Sequence, residues 1–328
     1  MTANVAAPWE RLGLAIGHAT NIEGATGCTV IRGIDQGFRC SAHLIGRASG
    51  TRELAVCSPE HLIDTVDAVL LTGGSAYGLD AAAGVMRWME EHGRGHAIGR
   101  GVVPIVPAAV IFDLAPLGQF SARPTSEMAY AACNSASSRD VAEGSIGAGT
   151  GATVGKAAGM ANAMKGGVGI ASVEGNGVVA CAIVVTNSFG DVRDANNNII
   201  AGARGENGTF VNAERLLRGE SFDTAETAMP AGRVNTTIAL VAVSASLTKV
   251  QLAQLATATS AAFYRRITPC GTPYDGDVIF SACPTSGSDA PLPVVEALAV
   301  AAMEQAIERS VQLAKGREGI PGLAGTHA

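Results

Sequence analysis

Apolar runs broken by glycines and turn clusters set the organisation of this chain. Val178 to Thr186 and Ile238 to Val243 are continuous apolar runs, the pattern of strands buried on both faces. Ala68 to Leu71 reads as a shorter buried strand ending in Thr72-Gly73-Gly74, after which Ser75 caps a helix running to about His92, with Gly93 as its stop. Val102 to Phe112, interrupted by Pro104 and Pro107, reads as a further buried strand, and so does Asp277 to Cys283. Asn187-Ser188-Phe189-Gly190-Asp191 closes the 178–186 run with turn chemistry. Later in the chain, Ser246 or Thr248 can cap a helix to about Arg266, and Pro293 opens a final helix. The stripe Val300, Met303, Ile307, Val311 and Ala314 has helical spacing and is expected to face the core. Residues 144–177 hold small helical or loop pieces, and the polar stretch 194–232 reads as an exposed loop that delivers the chain to Asn235. Strands apolar on both faces, alternating with helices, predict helix-covered sheets in a layered α/β or α+β protein.

Glycine is the unusual component: 41 of 328 residues, eleven of them within 144–177 and none at a fixed period, which points to tight backbone approaches rather than low complexity. Hydrophobic content of 47% against 16% charge describes a soluble globular chain long enough for one large domain or two. A formal net charge of −6, with Lys and Arg scattered, argues against a nucleic-acid or anionic-membrane partner and favours small molecules or peptides. Met1 to Trp9 lacks the pattern of a signal peptide and no run is apolar enough to span a bilayer, so the expected location is cytoplasmic. Seven cysteines without a C-x-x-C pair fit reduced thiols, with neither zinc nor disulfides. His92 and His96 are four apart, but Gly93 and Gly95 break the helix that would put both on one face.

Three Gly-rich segments approach known motifs and miss them. Around Gly155-Lys156, the P-loop pattern needs glycine where Thr150 stands and Ser or Thr where Ala157 stands. Gly147 to Ala152 gives G-x-G-x-x-A, but polar residues 139–143 precede it instead of a buried strand. Gly73-Gly74-Ser75-Ala76-Tyr77 misses the nucleophile elbow at Tyr77.

Asn235-Thr236-Thr237, leading straight into the Ile238 run, carries more chemistry. A threonine hydroxyl is a weak nucleophile until a base activates it. Were the Asn235-Thr236 bond cut, Thr236 would gain an α-amine, with a reference pKa of about 7.7–8.0, within reach of its own Oγ. Alone, the same letters also read as an asparagine turn entering a β-branched strand.

Together with that segment, Thr72 to Ala81, the Pro107 to Asp113 strand, the Gly147 to Lys156 loop, Val184-Val185-Thr186-Asn187 and Asp275-Gly276-Asp277 carry a specific resemblance. Over nearly its whole length the chain resembles the self-processing L-aminopeptidase/D-esterase (DmpA-like) peptidases, whose relatives include β-peptidyl aminopeptidases and nylon-oligomer hydrolases. The resemblance implies an α+β fold, a four-layer αββα sandwich like that of ornithine acetyltransferases, with residues 1–328 forming one domain. It also implies autocleavage into 1–235 and 236–328 by attack of Thr236 on its own peptide bond, after which Thr236 serves as catalytic nucleophile.

Asp275 and Asp277 match the family's acidic pair, which would orient Thr236 and tune its pKa; otherwise they form an Asp-Gly-Asp turn. Asn187 matches an oxyanion donor, a role typically worth about 3 kcal/mol, and Lys156 a lysine beside the nucleophile. Phe112 departs from the tyrosine several members carry there and its ring cannot donate a hydrogen bond, so either a backbone N–H or Lys156 supplies the second donor or the substrate range differs. Gly74 and Ser75 fall with Phe112 in the neighbourhood of substrate and oxyanion. The implied protein is an aminopeptidase or amidase on short peptides or small amides, without metal or organic cofactor, whose two fragments stay together and associate further as tetramers. Nylon-oligomer hydrolysis, acyl transfer of the ornithine acetyltransferase kind and an unprocessed binding scaffold are the competing readings.

Overall fold

The computed structural model describes residues 6–115, 117–220 and 234–326. Two sheets stack face to face, each covered on its outer side by a pair of helices. The larger, six-stranded sheet runs in the order Val168–Gly175, Val178–Asn187, Thr236–Val243, Val278–Cys283, Phe38–Leu44 and Thr65–Val66. The five-stranded sheet runs Leu14–Asn21, Thr26–Gly33, Ala68–Thr72, Ala108–Val110 and Thr51–Arg52. Most pairings are antiparallel; Thr236–Val243 lies parallel to Val278–Cys283, and Ala68–Thr72 parallel to Ala108–Val110.

Three apolar layers follow from the period-two alternation of strand side chains. Ile31, Val69, Leu71 and Ile111 from one sheet meet Ile183, Val185, Leu240 and Phe280 from the other in the central layer. The opposite face of the larger sheet, through Val184, Val241 and Ile279, packs on helices Lys249–Arg266 and Leu292–Gln312. The opposite face of the smaller sheet, through Val30 and Leu70, packs on helices Ala82–Glu91 and Ser126–Asn134. The architecture is the expected αββα sandwich. Glycine sets one of its spacings: a Cβ on Gly169 would stand 2.0 Å from the Ala306 carbonyl, so the final helix lies closer to its strand than any side chain would allow.

Several expected elements hold. The 178–186 run is a strand buried at every position. Thr248 caps its helix by accepting the Gln251 N–H, and Gln251 returns the bond as a capping box. Met303, Ile307, Val311 and Ala314 are buried, with Val300 half-buried beside them.

Others need correction. Ser75 does not cap a helix: it sits at φ +52°, opening a 3-10 turn over Ser75–Ala81, and the α-helix begins only at Ala82. The 102–112 strand shrinks to Ala108–Val110 with a separate Val102–Val103 piece, because Pro104 and Pro107 cannot donate to a ladder. The 178–186 strand extends through Asn187, so the turn starts at Ser188. Within the expected 194–232 loop stand a strand, Ile199–Ala201, and a short helix, Ala213–Leu217; its part from 221 lies outside the described residues. Among the described residues no helix is long and apolar enough to cross a membrane.

Phe280 is fully buried between the sheets. In an uncut Thr236→Ala background, Phe280→Ala is expected to destabilise by about 3–5 kcal/mol, read by guanidinium unfolding; a loss below about 1 kcal/mol would contradict the layered core.

Candidate active site

Register places the site. Antiparallel pairing sets Asn187 directly opposite Thr236. One strand further, Asn235 and Asp275 form a parallel bridge just ahead of the Ile238–Val278 pairing. The three strand ends meet, and the Gly-rich segment from Gly147 to Lys156 packs over them. Thr236 is buried, and its Oγ1 donates to the Asn235 carbonyl oxygen at 2.5 Å. A second donor reaches that oxygen, the Gly276 backbone N–H at 2.9 Å.

Lys156 enters from a left-handed turn at Gly155 (φ +69°), where a Cβ would stand 2.0 Å from the Gly202 carbonyl carbon. Its ammonium donates to Asn187 O at 3.0 Å, Asn187 Oδ1 at 2.8 Å and Val234 O at 3.3 Å. Three acceptors match three ammonium hydrogens, the geometry of a charged lysine. Burial works against that charge and, with a smaller push from Lys165, pulls the pKa down to about 7, opposed by Asp275 and Asp277. The Asn187 side chain is fully committed. Oδ1 accepts from Lys156 and from the Thr153 N–H at 3.0 Å, while Nδ2 donates to Phe112 O and Val234 O, each at 3.2 Å.

The two aspartates flank Gly276 and differ in their partners. Asp277 Oδ1 accepts the Thr237 N–H at 2.6 Å, and Oδ2 accepts from the Gly271 N–H at 3.2 Å and the Cys270 thiol at 3.3 Å. Burial, and next the charge of Asp275, push its pKa up to about 7. Asp275 holds the Thr272 hydroxyl at 2.6 Å and N–H at 3.0 Å; burial raises its pKa while those bonds pull it down. Lys156, Asp275 and Asp277 thus surround the Asn235-Thr236 bond with titratable groups moved toward neutral pH, as sites that move protons require.

The remaining expected residues form the rim. Phe112 is half-buried and contributes its backbone carbonyl to Asn187. Gly74 donates its N–H to Asp113 Oδ1 at 2.6 Å, and Ser75 donates its N–H to Ile111 O at 3.0 Å, so both stand beside the 111–113 segment. Behind them lies a buried pair that sequence reasoning missed, Asp113 and Lys165. Burial raises the first to about 6 and lowers the second to about 7, while their mutual attraction opposes both shifts. Lys165 is held by Thr150 O at 2.9 Å and Ala152 O at 2.6 Å. Also missed were the Gly276 N–H and Cys270; the first is a backbone group that no residue letter signals.

Residues 12–323 match the model of peptidase family S58. An uncharacterised aminopeptidase of Mycobacterium leprae is 42% identical over 248 residues, 72% of this chain and 65% of that protein. The chain therefore spans about two thirds of that relative's length. A 6-aminohexanoate-oligomer endohydrolase of Paenarthrobacter ureafaciens is 30% identical over 279 residues, 82% of this chain and 72% of its own. Among solved structures, the L-aminopeptidase D-Ala-esterase/amidase of Ochrobactrum anthropi, described as a variant of the Ntn hydrolase fold, superposes with a TM-score of 0.68 at 19% identity, covering 96% of this chain and 89% of its own. That likeness is one of fold.

Lys165, with its pKa near 7 in the folded chain and an ordinary value of 10.5, binds fewer protons folded than unfolded between those limits, so it adds stability as pH rises through the window. The raised Asp113 and Asp277 act below about pH 7. Uncut Thr236→Ala protein should therefore gain on the order of 2 kcal/mol from Lys165 between pH 7 and 9, and Lys165→Met should lose that increment. Equal pH slopes in chemical unfolding would refute the assignment.

Proposed function

The chain belongs to peptidase family S58, and from that premise we propose that it is an autoprocessed N-terminal-threonine hydrolase, an aminopeptidase or amidase cleaving amide bonds of short peptides or small amides. The observation that carries this reading is the Thr236 hydroxyl, 2.5 Å from the carbonyl oxygen of the bond it would cut, ringed by Lys156, Asn187, Asp275 and Asp277. In maturation the Thr236 Oγ attacks the Asn235 carbonyl carbon and its proton passes to the Thr236 nitrogen. The C–N bond breaks, and water hydrolyses the resulting ester, leaving an Asn235 carboxylate and a free Thr236 amine. That amine is then the base for the same Oγ in turnover, where an acyl-enzyme forms on Thr236 and is hydrolysed.

Maturation also changes who uses the donors. Asn187 Nδ2 and the Lys156 ammonium are engaged on Val234 O, on the N-terminal side of the cut. When that segment withdraws they become free for the acyl oxygen of a substrate, and Asp277 holds the Thr237 N–H in place. The fragments have reason to stay together, because the Thr236–Val243 strand is bonded on one side to Val178–Asn187, and Val278–Cys283 is bonded to Phe38–Leu44. Further association into tetramers and a cytoplasmic location belong to the same proposal; the seven free thiols fit a reducing compartment.

Nylon-type oligomer hydrolysis is the second reading, favoured by the Asp-Gly-Asp form of residues 275–277, which resembles that of the nylon-oligomer hydrolases, and by the named activity of the Paenarthrobacter relative.

Denaturing intact mass is expected to resolve two fragments, 1–235 and 236–328, with Thr236→Ala remaining a single 33.1 kDa chain; a wild-type chain that stays whole on incubation would overturn the reading. On the matured enzyme, a panel of α-amino acid p-nitroanilides, β-peptides and 6-aminohexanoate oligomers should identify the amide class. On its best substrate Asn187→Ala should lower kcat about 10²–10³-fold. Inactivity on every amide would sink both readings.

A further inference from the structure

We infer that the backbone N–H of Gly276 stabilises the negative charge that develops on the Asn235 oxygen during autocleavage, and that the segment from Ile45 to Ala48 aims it. This deepens the autocleavage reading and rests on it. Two donors reach that oxygen, Thr236 Oγ1 at 2.5 Å and Gly276 N at 2.9 Å. Once Oγ attacks the carbonyl carbon it becomes part of the new C–O bond and no longer donates, which leaves Gly276. Its distance lies within the 2.7–3.1 Å typical of an oxyanion donor. The other polar groups point one peptide upstream: Asn187 Nδ2 and Lys156 Nζ are on Val234 O. The Phe112 side chain has no polar hydrogen to give.

The donor is fixed from behind. Ile45 and Gly46 donate their N–H groups to Asp277 O at 3.0 and 3.1 Å, while Arg47 and Ala48 donate theirs to Asp275 O at 2.8 and 2.9 Å. Both carbonyls flanking Gly276 are thus gripped by one segment. The contact requires glycine on each side: a Cβ on Gly46 would lie 2.3 Å from Asp277 N, and one on Gly276 would lie 2.6 Å from Ala48 O. The same grip sets the spacing of Asp275 and Asp277 about the nucleophile. Through the step the N–H neither gains nor loses a proton; it stabilises the tetrahedral oxyanion until the Asn235–Thr236 C–N bond breaks.

The test replaces the Gly276 N–H with an ester oxygen, which removes the donor and also weakens the Asp275 carbonyl that Arg47 and Ala48 grip. Glycolic acid placed at position 276 by a suppressor tRNA in cell-free translation converts the amide to an ester, and the same system charged with glycine gives the control. Cleavage at Asn235-Thr236, timed by mass, should slow about 10²–10³-fold in the ester protein relative to the control. Equal rates overturn the inference and leave the autocleavage reading standing; a control that never cuts overturns both. Should the ester protein not fold, hydrogen exchange decides. In uncut Thr236→Ala protein the Gly276 amide should be strongly protected, and exchange at the open-chain rate overturns the inference.

Discussion

Everything at this site depends on a buried cation that has oxygen atoms on every side. Removing an ammonium from water is costly unless each of its hydrogens is satisfied, and Lys156 meets that condition through Asn187 O, Asn187 Oδ1 and Val234 O. The arrangement ties together parts of the chain far apart in sequence: the Gly-rich segment that delivers Lys156, the end of the Val178–Asn187 strand, and the approach to the Asn235-Thr236 bond. Because one of the three oxygens belongs to Val234, the uncut chain completes the lysine's coordination. Under the proposed autocleavage, withdrawal of that segment would leave a buried charge with a donor to spare, the condition for gripping a substrate's acyl oxygen.

The carboxylates answer the lysine without pairing to it directly. Asp277 and Asp275 spend their oxygens on backbone N–H groups, one hydroxyl and a thiol. They sit close enough that Asp275 raises the pKa of Asp277, while both oppose the fall in the lysine's. A second buried pair, Asp113 and Lys165, repeats the pattern beneath the Gly74–Ser75 rim. Two sheets packed face to face leave little water around these groups, so hydrogen bonds and the opposite charges nearby are what oppose the loss of their charge.

What was legible follows from which groups carry the information. The Val178–Asn187 and Thr236–Val243 strands were plain because both of their faces are buried, giving unbroken apolar letters. The strands Leu14–Asn21 and Thr26–Gly33 gave no such signal, since His18, Thr20 and Thr29 interrupt them, and here hydroxyls are spent on structure: Thr20 accepts the Gly147 N–H and Thr29 the Ala148 N–H. At the site the side chains Thr236, Asn187, Lys156, Asp275 and Asp277 were visible in the sequence. The N–H of Gly276 and the segment gripping it were not, because every residue but proline owns an N–H and only tertiary packing decides which one is aimed. Ser75 misled for a related reason: the residue type suits a cap, but its left-handed backbone serves the turn beside Asp113 instead.

On the proposed reading one fold performs two reactions with the same nucleophile, and the distribution of donors separates them. On the Asn235 carbonyl, the donor that would remain once the Thr236 hydroxyl attacks is a backbone N–H, which no titration can remove and which residues 45–48 brace from behind. The titratable and side-chain donors, Lys156 and Asn187, face the neighbouring carbonyl and are withheld. An intramolecular substrate is already positioned, so one fixed donor and proximity supply much of what the first step needs. An external amide arrives without that positioning and requires more binding to its acyl group. The donors it needs are the ones that departure of Val234 would release, so under the proposed autocleavage the first reaction would assemble the site for the second.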